Sequence, residues 1–127
     1  LAEFTDRVNF TYRHFPISSL HPYAQNAAEA SECAAEQGRF WEMHDKLFAN
    51  QQSLKVDDLK GYAADLGLDT SKFNQCLASG QMGKVVASDL SYGLSAGVDS
   101  TPSFFINGEK RGNMTYDEFR SAILANP

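Results

Sequence analysis

The chain has 127 residues, 43% of them hydrophobic, which is enough for one domain with a real core and too few for two ordinary ones. Its 11 lysines and arginines are scattered among 16 acids for a formal net charge of −5, which argues against a general phosphate-binding surface, so nucleic acid is not an expected partner. No apolar run reaches the ~18 residues of a membrane span, and the amino terminus lacks the basic, apolar, small-residue order of a secretory leader, so any targeting segment is expected upstream of Leu1.

Leu1 to Phe4 carry apolar residues three apart, the spacing of the last turn of an amphipathic helix, so the chain is expected to begin inside an element. Val8, Phe10 and Tyr12 then alternate with Asn9, Thr11 and Arg13, a period of two that predicts a strand over Val8 to His14, stopped by Pro16. Pro22 suits a first helical position, and a helix is expected from there to Gln37, ended by Gly38. Its alanines (Ala24, Ala27, Ala28, Ala30, Ala34 and Ala35) let neighbouring helices approach closely, which leaves Glu29, Glu32 and Glu36 for solvent. The next helix sets Phe40, Trp41, His44, Leu47 and Phe48 along one apolar stripe. Val56, Leu59, Ala63 and Leu66 predict a third helix ended by Gly67; Asp69 caps a short fourth one bearing Phe73, Cys76 and Leu77, closed by Gly80. A fifth helix over 81–96, with Val85, Val86, Leu90 and Leu94, ends at Gly97.

Beyond Gly97 the pattern changes. Apolar Phe104, Phe105 and Ile106 predict a short strand, Asn107-Gly108 a tight turn of positive-φ residues, and Glu109 to Arg111 the return strand. Thr101-Pro102 stands just before this hairpin, where a proline without an N–H marks a strand start, an edge or a bend. Thr115 and Glu118 then form a capping box that opens a last helix with Phe119, Ile123 and Leu124 inside.

Thiol–disulfide exchange needs a thiolate at a helix amino terminus, usually with a resolving thiol two residues further on. Neither cysteine has that setting, because Cys33 and Cys76 both fall inside predicted helices, so no catalytic residue is assigned in this chain. Two readings of the pair stand side by side: two small buried hydrophobes, or a structural disulfide closing a long loop in an oxidising compartment. His14, His21 and His44 are the only histidines. With no second ligand at metal spacing, His44 reads as a hydrogen-bonded core residue, and neither a metal nor another cofactor is expected. Glu42 and Asp45 read as solvent-facing acids, and Phe10, Tyr12, Phe15, Phe40, Trp41, Phe104 and Phe105 as core.

The run Gly97-Val98-Asp99-Ser100-Thr101-Pro102-Ser103-Phe104-Phe105-Ile106-Asn107-Gly108 resembles the Gly-Val-x-x-Thr-Pro-x-Phe-x-Ile-Asn-Gly segment of DsbA-like thioredoxin-fold proteins. Tyr12-Arg13-His14-Phe15-Pro16, His21-Pro22-Tyr23-Ala24 and Gly38-Arg39-Phe40-Trp41-Glu42-Met43-His44 resemble the same family's passage from strand to helical domain. The resemblance covers nearly the whole chain. It implies an α/β, thioredoxin-like fold in a single domain, 1–127, with a helical insertion and return helix over 18–97 and the hairpin and final helix over 98–127. It also implies a cis bond before Pro102, and a substrate-contacting role for Thr101 and Pro102, with the Thr101 backbone pairing with a substrate strand. The implied partners are protein or peptide thiols and disulfides, and the implied compartment is extracytoplasmic.

The family's first core strand and its Cys-x-x-Cys helix have no counterpart in these residues. Two functional classes follow: a fragment of a thiol–disulfide oxidoreductase whose upstream residues supply the reacting cysteines, or a non-catalytic relative that binds peptides or pairs with itself. In the family the absent strand lies between the two matched here by Val8 to His14 and by Ser103 to Ile106. Its absence leaves two inner edges, expected to be filled by a second copy, as a homodimer, or by residues outside this sequence.

Overall fold

The computed structural model describes residues 8–112 and 114–125, so the helical turn expected at Leu1 to Phe4 lies outside the described residues. Five helices come first: α1 (Ala24–Ala35), α2 (Phe40–Ala49), α3 (Val56–Asp65), α4 (Thr70–Ser79) and α5 (Gly83–Ser95). A hairpin of β1 (Phe104–Ile106) and β2 (Glu109–Arg111) follows, then α6 (Tyr116–Ala125). The chain divides inside α5 into two compact units, Leu1–Ser91 and Tyr92–Pro127.

In the first unit α1 is the hub. Its small Ala27, Ala30 and Ala34 are buried, and α2, α3 and α4 pack directly on it. These helices bring in Met43 and Leu47, Leu59 and Ala63, and Phe73, respectively. Local chemistry sets the helix ends. The Asp69 side chain accepts the Lys72 N–H (3.1 Å) to start α4, and Gly80, in the left-handed conformation at φ 68°, closes it. Across the gap between helices, the Asp69 N–H donates to Gln37 Oε1 (2.8 Å) while Gln37 Nε2 donates to the Asp69 carbonyl (3.2 Å), fastening the end of α1 to the start of α4.

Four expectations need correction here. Residues Val8 to His14 have no ladder partner among the described residues and form no strand. The period of two survives in part, with Val8 and Tyr12 half-buried and His14 buried; alternation sets which side faces inward, but only a neighbour makes a strand. Pro22 precedes α1 by two positions rather than opening it. Glu29 is buried, not solvated: it accepts a hydrogen bond from Gln25 Nε2 (3.0 Å) and lies beside Gly83, where the positive end of α5 favours a carboxylate. On α2 the buried face is Met43 and Leu47, so Trp41 (45% exposed) and Phe48 turn outward, and Phe10 (42% exposed) joins them at the surface instead of in the core.

In the second unit the two-stranded antiparallel sheet pairs Phe104 with Arg111, Phe105 with Lys110 and Ile106 with Glu109. Asn107 (φ 50°) and Gly108 (φ 83°) make the two-residue turn, the positive-φ geometry that matches strand twist. The capping box forms, with the Thr115 N–H donating to Glu118 Oε1 and the Glu118 N–H to Thr115 Oγ1, each at 3.2 Å. Phe104 packs edge-on against Phe119 with ring centroids 4.8 Å apart, and Ala122 is buried. Phe105 and Leu124, expected inside, are exposed. A two-stranded hairpin has one ring face to cover, and Phe104 occupies it.

Candidate functional site

The loop leading into β1 is held from both sides. Lys110 Nζ donates to the Gly97 carbonyl (2.7 Å) and stands 3.9 Å from Asp99 Oδ1, while Ser103 Oγ donates to the Ser100 carbonyl (2.7 Å). Thr101 and Pro102, at the crest of this loop, are exposed, and the peptide bond between them is cis. With a two-residue turn, Ile106 and Glu109 form the hydrogen-bonded pair and Phe105 and Lys110 the non-bonded one. The N–H and C=O of Phe105 therefore point to the edge of β1 opposite β2, where no ladder partner lies among the described residues. An edge of this kind can accept an extended peptide through main-chain hydrogen bonds.

Cys33 and Cys76 are joined as a disulfide, with Cα atoms 5.9 Å apart. The bond lies within the core cluster, and the two residues are only 1% and 5% exposed. Both sulfurs are thus bonded to each other and shielded, so neither offers the accessible thiolate that exchange chemistry requires. Thr101 and Pro102 belong to the second unit, and Cys33 and Cys76 to the first.

A buried polar group escaped the sequence reading. The His14 backbone N–H donates to Asp89 Oδ2 (3.0 Å), and Arg13 Nη1 donates to Asp89 Oδ1 (3.2 Å), tying the extended segment to α5. The His14 ring Nε2 stands 3.4 Å from Glu32 Oε1 and 3.5 Å from Ser31 Oγ, which itself donates to the Ala28 carbonyl (2.7 Å). The available signal was phase, since His14 falls on the same side of the alternating stretch as Val8 and Tyr12.

Aromatic rings cover the outer side of α2. Phe10 stacks near Trp41 (5.7 Å between centroids), and Tyr12 lies edge-on to Trp41 (6.2 Å) and to His44 (4.8 Å). Burial among these rings pushes the Tyr12 phenol above its ordinary 10.0. His44, rather than sitting in the core, is a partly exposed member of this layer, its Nδ1 3.0 Å from Asp45 Oδ1.

The profile of the family described as Thioredoxin matches residues 2–125. The chain belongs to the thioredoxin family. Its fold, a helical unit followed by a small antiparallel hairpin and a helix, is of the mixed α/β thioredoxin type. Among curated proteins it is 41% identical to Na(+)/H(+) antiporter NhaA 3 of Salinispora tropica over 126 residues, which is 98% of this chain and 19% of that protein. It is 39% identical to Na(+)/H(+) antiporter NhaA 1 of Mycolicibacterium gilvum, with 86% of this chain and 18% of that protein covered. With the NhaA antiporter of Herminiimonas arsenicoxydans it shares 40% identity, over 86% of this chain and 17% of that protein. The chain thus spans less than a fifth of the length of these relatives. No solved structure matches it. Among the described residues, no helix is long and apolar enough to cross a membrane.

Proposed function

We propose that this thioredoxin-family domain presents extended protein segments for thiol–disulfide exchange of the DsbA type, holding them at the Thr101-Pro102 loop and along β1. The observation that carries the reading is the exposed Thr101-Pro102 crest beside a strand whose Phe105 backbone groups face an edge with no ladder partner among the described residues. Main-chain pairing gives such a site tolerance of many sequences, which suits a protein acting on varied thiols and disulfides. The reacting thiols come from outside these 127 residues, since the only two cysteines are bonded to each other. The proposed setting is extracytoplasmic, where oxidising conditions preserve a disulfide such as Cys33–Cys76.

A second reading draws on the relatives, which carry an antiporter's name and are more than five times as long as the matched segment. In it the domain is an accessory part of a longer membrane protein and binds extended peptides, or a second copy of itself, without exchanging disulfides. Both readings require the β1 site.

Calorimetric titration with an unfolded, cysteine-containing peptide tests that requirement. Saturable binding is expected, weakened by Thr101→Arg and by Phe105→Pro, a substitution that removes an N–H from the outer edge and not from the ladder with β2. Equal binding by both folded variants, or no binding at all, contradicts the proposal. The two readings then separate on turnover: refolding of scrambled ribonuclease by the longer protein supports exchange, and binding without turnover supports the accessory role.

A further inference from the structure

We infer that the helical unit carries a redox-sensitive staple: the buried Cys33–Cys76 disulfide fixes the carboxy-terminal half of α4 to α1, and its opening by a dithiol loosens that half. The inference is independent of the peptide-binding reading, because it concerns only residues of the first unit.

The two halves of α4 are held differently. The amino-terminal half has the Asp69 cap, the two hydrogen bonds between Asp69 and Gln37, and Phe73, which is fully buried in the core. Past Phe73, the core contacts of α4 are Cys76 itself and half-buried Leu77. At the end of the helix the cross-connection to α1 is a surface contact, Gln81 Nε2 donating to Glu36 Oε1 at 3.3 Å. An exposed hydrogen bond of this sort contributes little against water. The disulfide is therefore the strong tie at this end, and it closes a loop of sequence separation 43. Linking positions so far apart removes much of the freedom of the unfolded chain, an effect of roughly a thousandfold on the folding equilibrium.

Opening the staple is a balanced exchange. Because the sulfurs are shielded, exchange begins from a local opening that uncovers them. One thiolate of an external dithiol then attacks a sulfur of the bond and forms a mixed disulfide, releasing the partner cysteine as a thiolate that takes up a proton. The second thiol of the reagent then displaces the other cysteine, so that Cys33 and Cys76 end as thiols and the dithiol ends as a disulfide. Two electrons and two protons pass to the protein. The reverse reaction, with a protein or small-molecule disulfide as oxidant, restores the staple.

Hydrogen exchange read by mass spectrometry, on the 127-residue protein before and after treatment with dithiothreitol, tests the inference. Reduction is verified by alkylation and intact mass. The expected result is exchange faster by about tenfold or more in Cys76–Gly80 after reduction, with a smaller change in α3. Loss of protection throughout the helical unit also supports the staple, since it then holds the whole unit. A Cys33→Ala, Cys76→Ala double variant is expected to show no response to the dithiol. Unchanged exchange in Cys76–Gly80 after complete reduction overturns the inference, as does resistance of the disulfide to dithiothreitol in the absence of denaturant.

Discussion

The helical unit and the hairpin unit solve the same problem with unequal means. In the first, α2, α3 and α4 satisfy their backbone groups internally and gather around an alanine-lined α1, with a disulfide in the core. In the second, each strand is three residues long, and among the described residues β1 shares hydrogen bonds with a single neighbour and has no ladder partner on its other edge. Helices carry their own hydrogen-bond partners and strands do not. A unit built from helices can therefore be complete by itself, whereas one built on a short hairpin retains backbone groups that seek a partner. That contrast places the buried core in one unit and a strand edge with no ladder partner among the described residues in the other.

The largest expected effect strikes the helical unit. Phe73→Ala, which empties a fully buried site, is expected to cost about 3–5 kcal/mol in urea unfolding followed by circular dichroism. A cost under about 1 kcal/mol, as at an exposed position, would mean that the core does not converge on this ring.

A smaller effect belongs to the hairpin. Gly108→Ala forces a side chain into the left-handed conformation at φ 83° and is expected to cost about 1–2 kcal/mol. Because the hairpin unit carries its own local opening, the loss should appear as faster amide exchange in β1 and β2, while the midpoint of helical unfolding stays put. A matching drop in that midpoint would break the contrast between the units.

The smallest effect is electrostatic. Tyr12 is held above the ordinary 10.0 by burial among the rings on α2, so the folded protein keeps the phenolic proton when the unfolded chain has lost it. The associated stability is fully present below pH about 10 and is lost as pH rises through the raised value. Ultraviolet titration of a Tyr12→Phe variant should lack the phenol component that titrates above 10.0 in the parent protein. If the remaining tyrosines still include that late component, another residue is the source.

Most element boundaries were legible in the sequence because they depend on single residues acting locally: Asp69 and Gly80 around α4, Asn107-Gly108 in the turn, Thr115 with Glu118 at α6. What depended on neighbours was not legible. Periodicity grouped Phe40, Trp41 and Leu47 on one stripe, yet the packing of α2 on α1 selected Met43 with Leu47 and left Trp41 to other rings. Alternation in Val8 to His14 indicated its inward side and could not supply a ladder partner. The pairing of Cys33 with Cys76 stayed one of two readings because it turns on a Cα separation, 5.9 Å, that only the seating of α4 on α1 determines. As to the candidate site, Thr101 and Pro102 came from a family resemblance, while the unpaired Phe105 edge required the register of the hairpin.

The central claim is that β1 offers an open edge to an extended partner while the helical unit is complete, and amide exchange at Phe105, read by nuclear magnetic resonance, tests it most directly. In the free protein the Phe105 amide should exchange rapidly while amides of α1 and α4 are protected; adding an unfolded, cysteine-containing peptide should slow Phe105 and leave the helices as they were. A Phe105 amide already protected in the free monomer, or one indifferent to saturating peptide, would contradict the account.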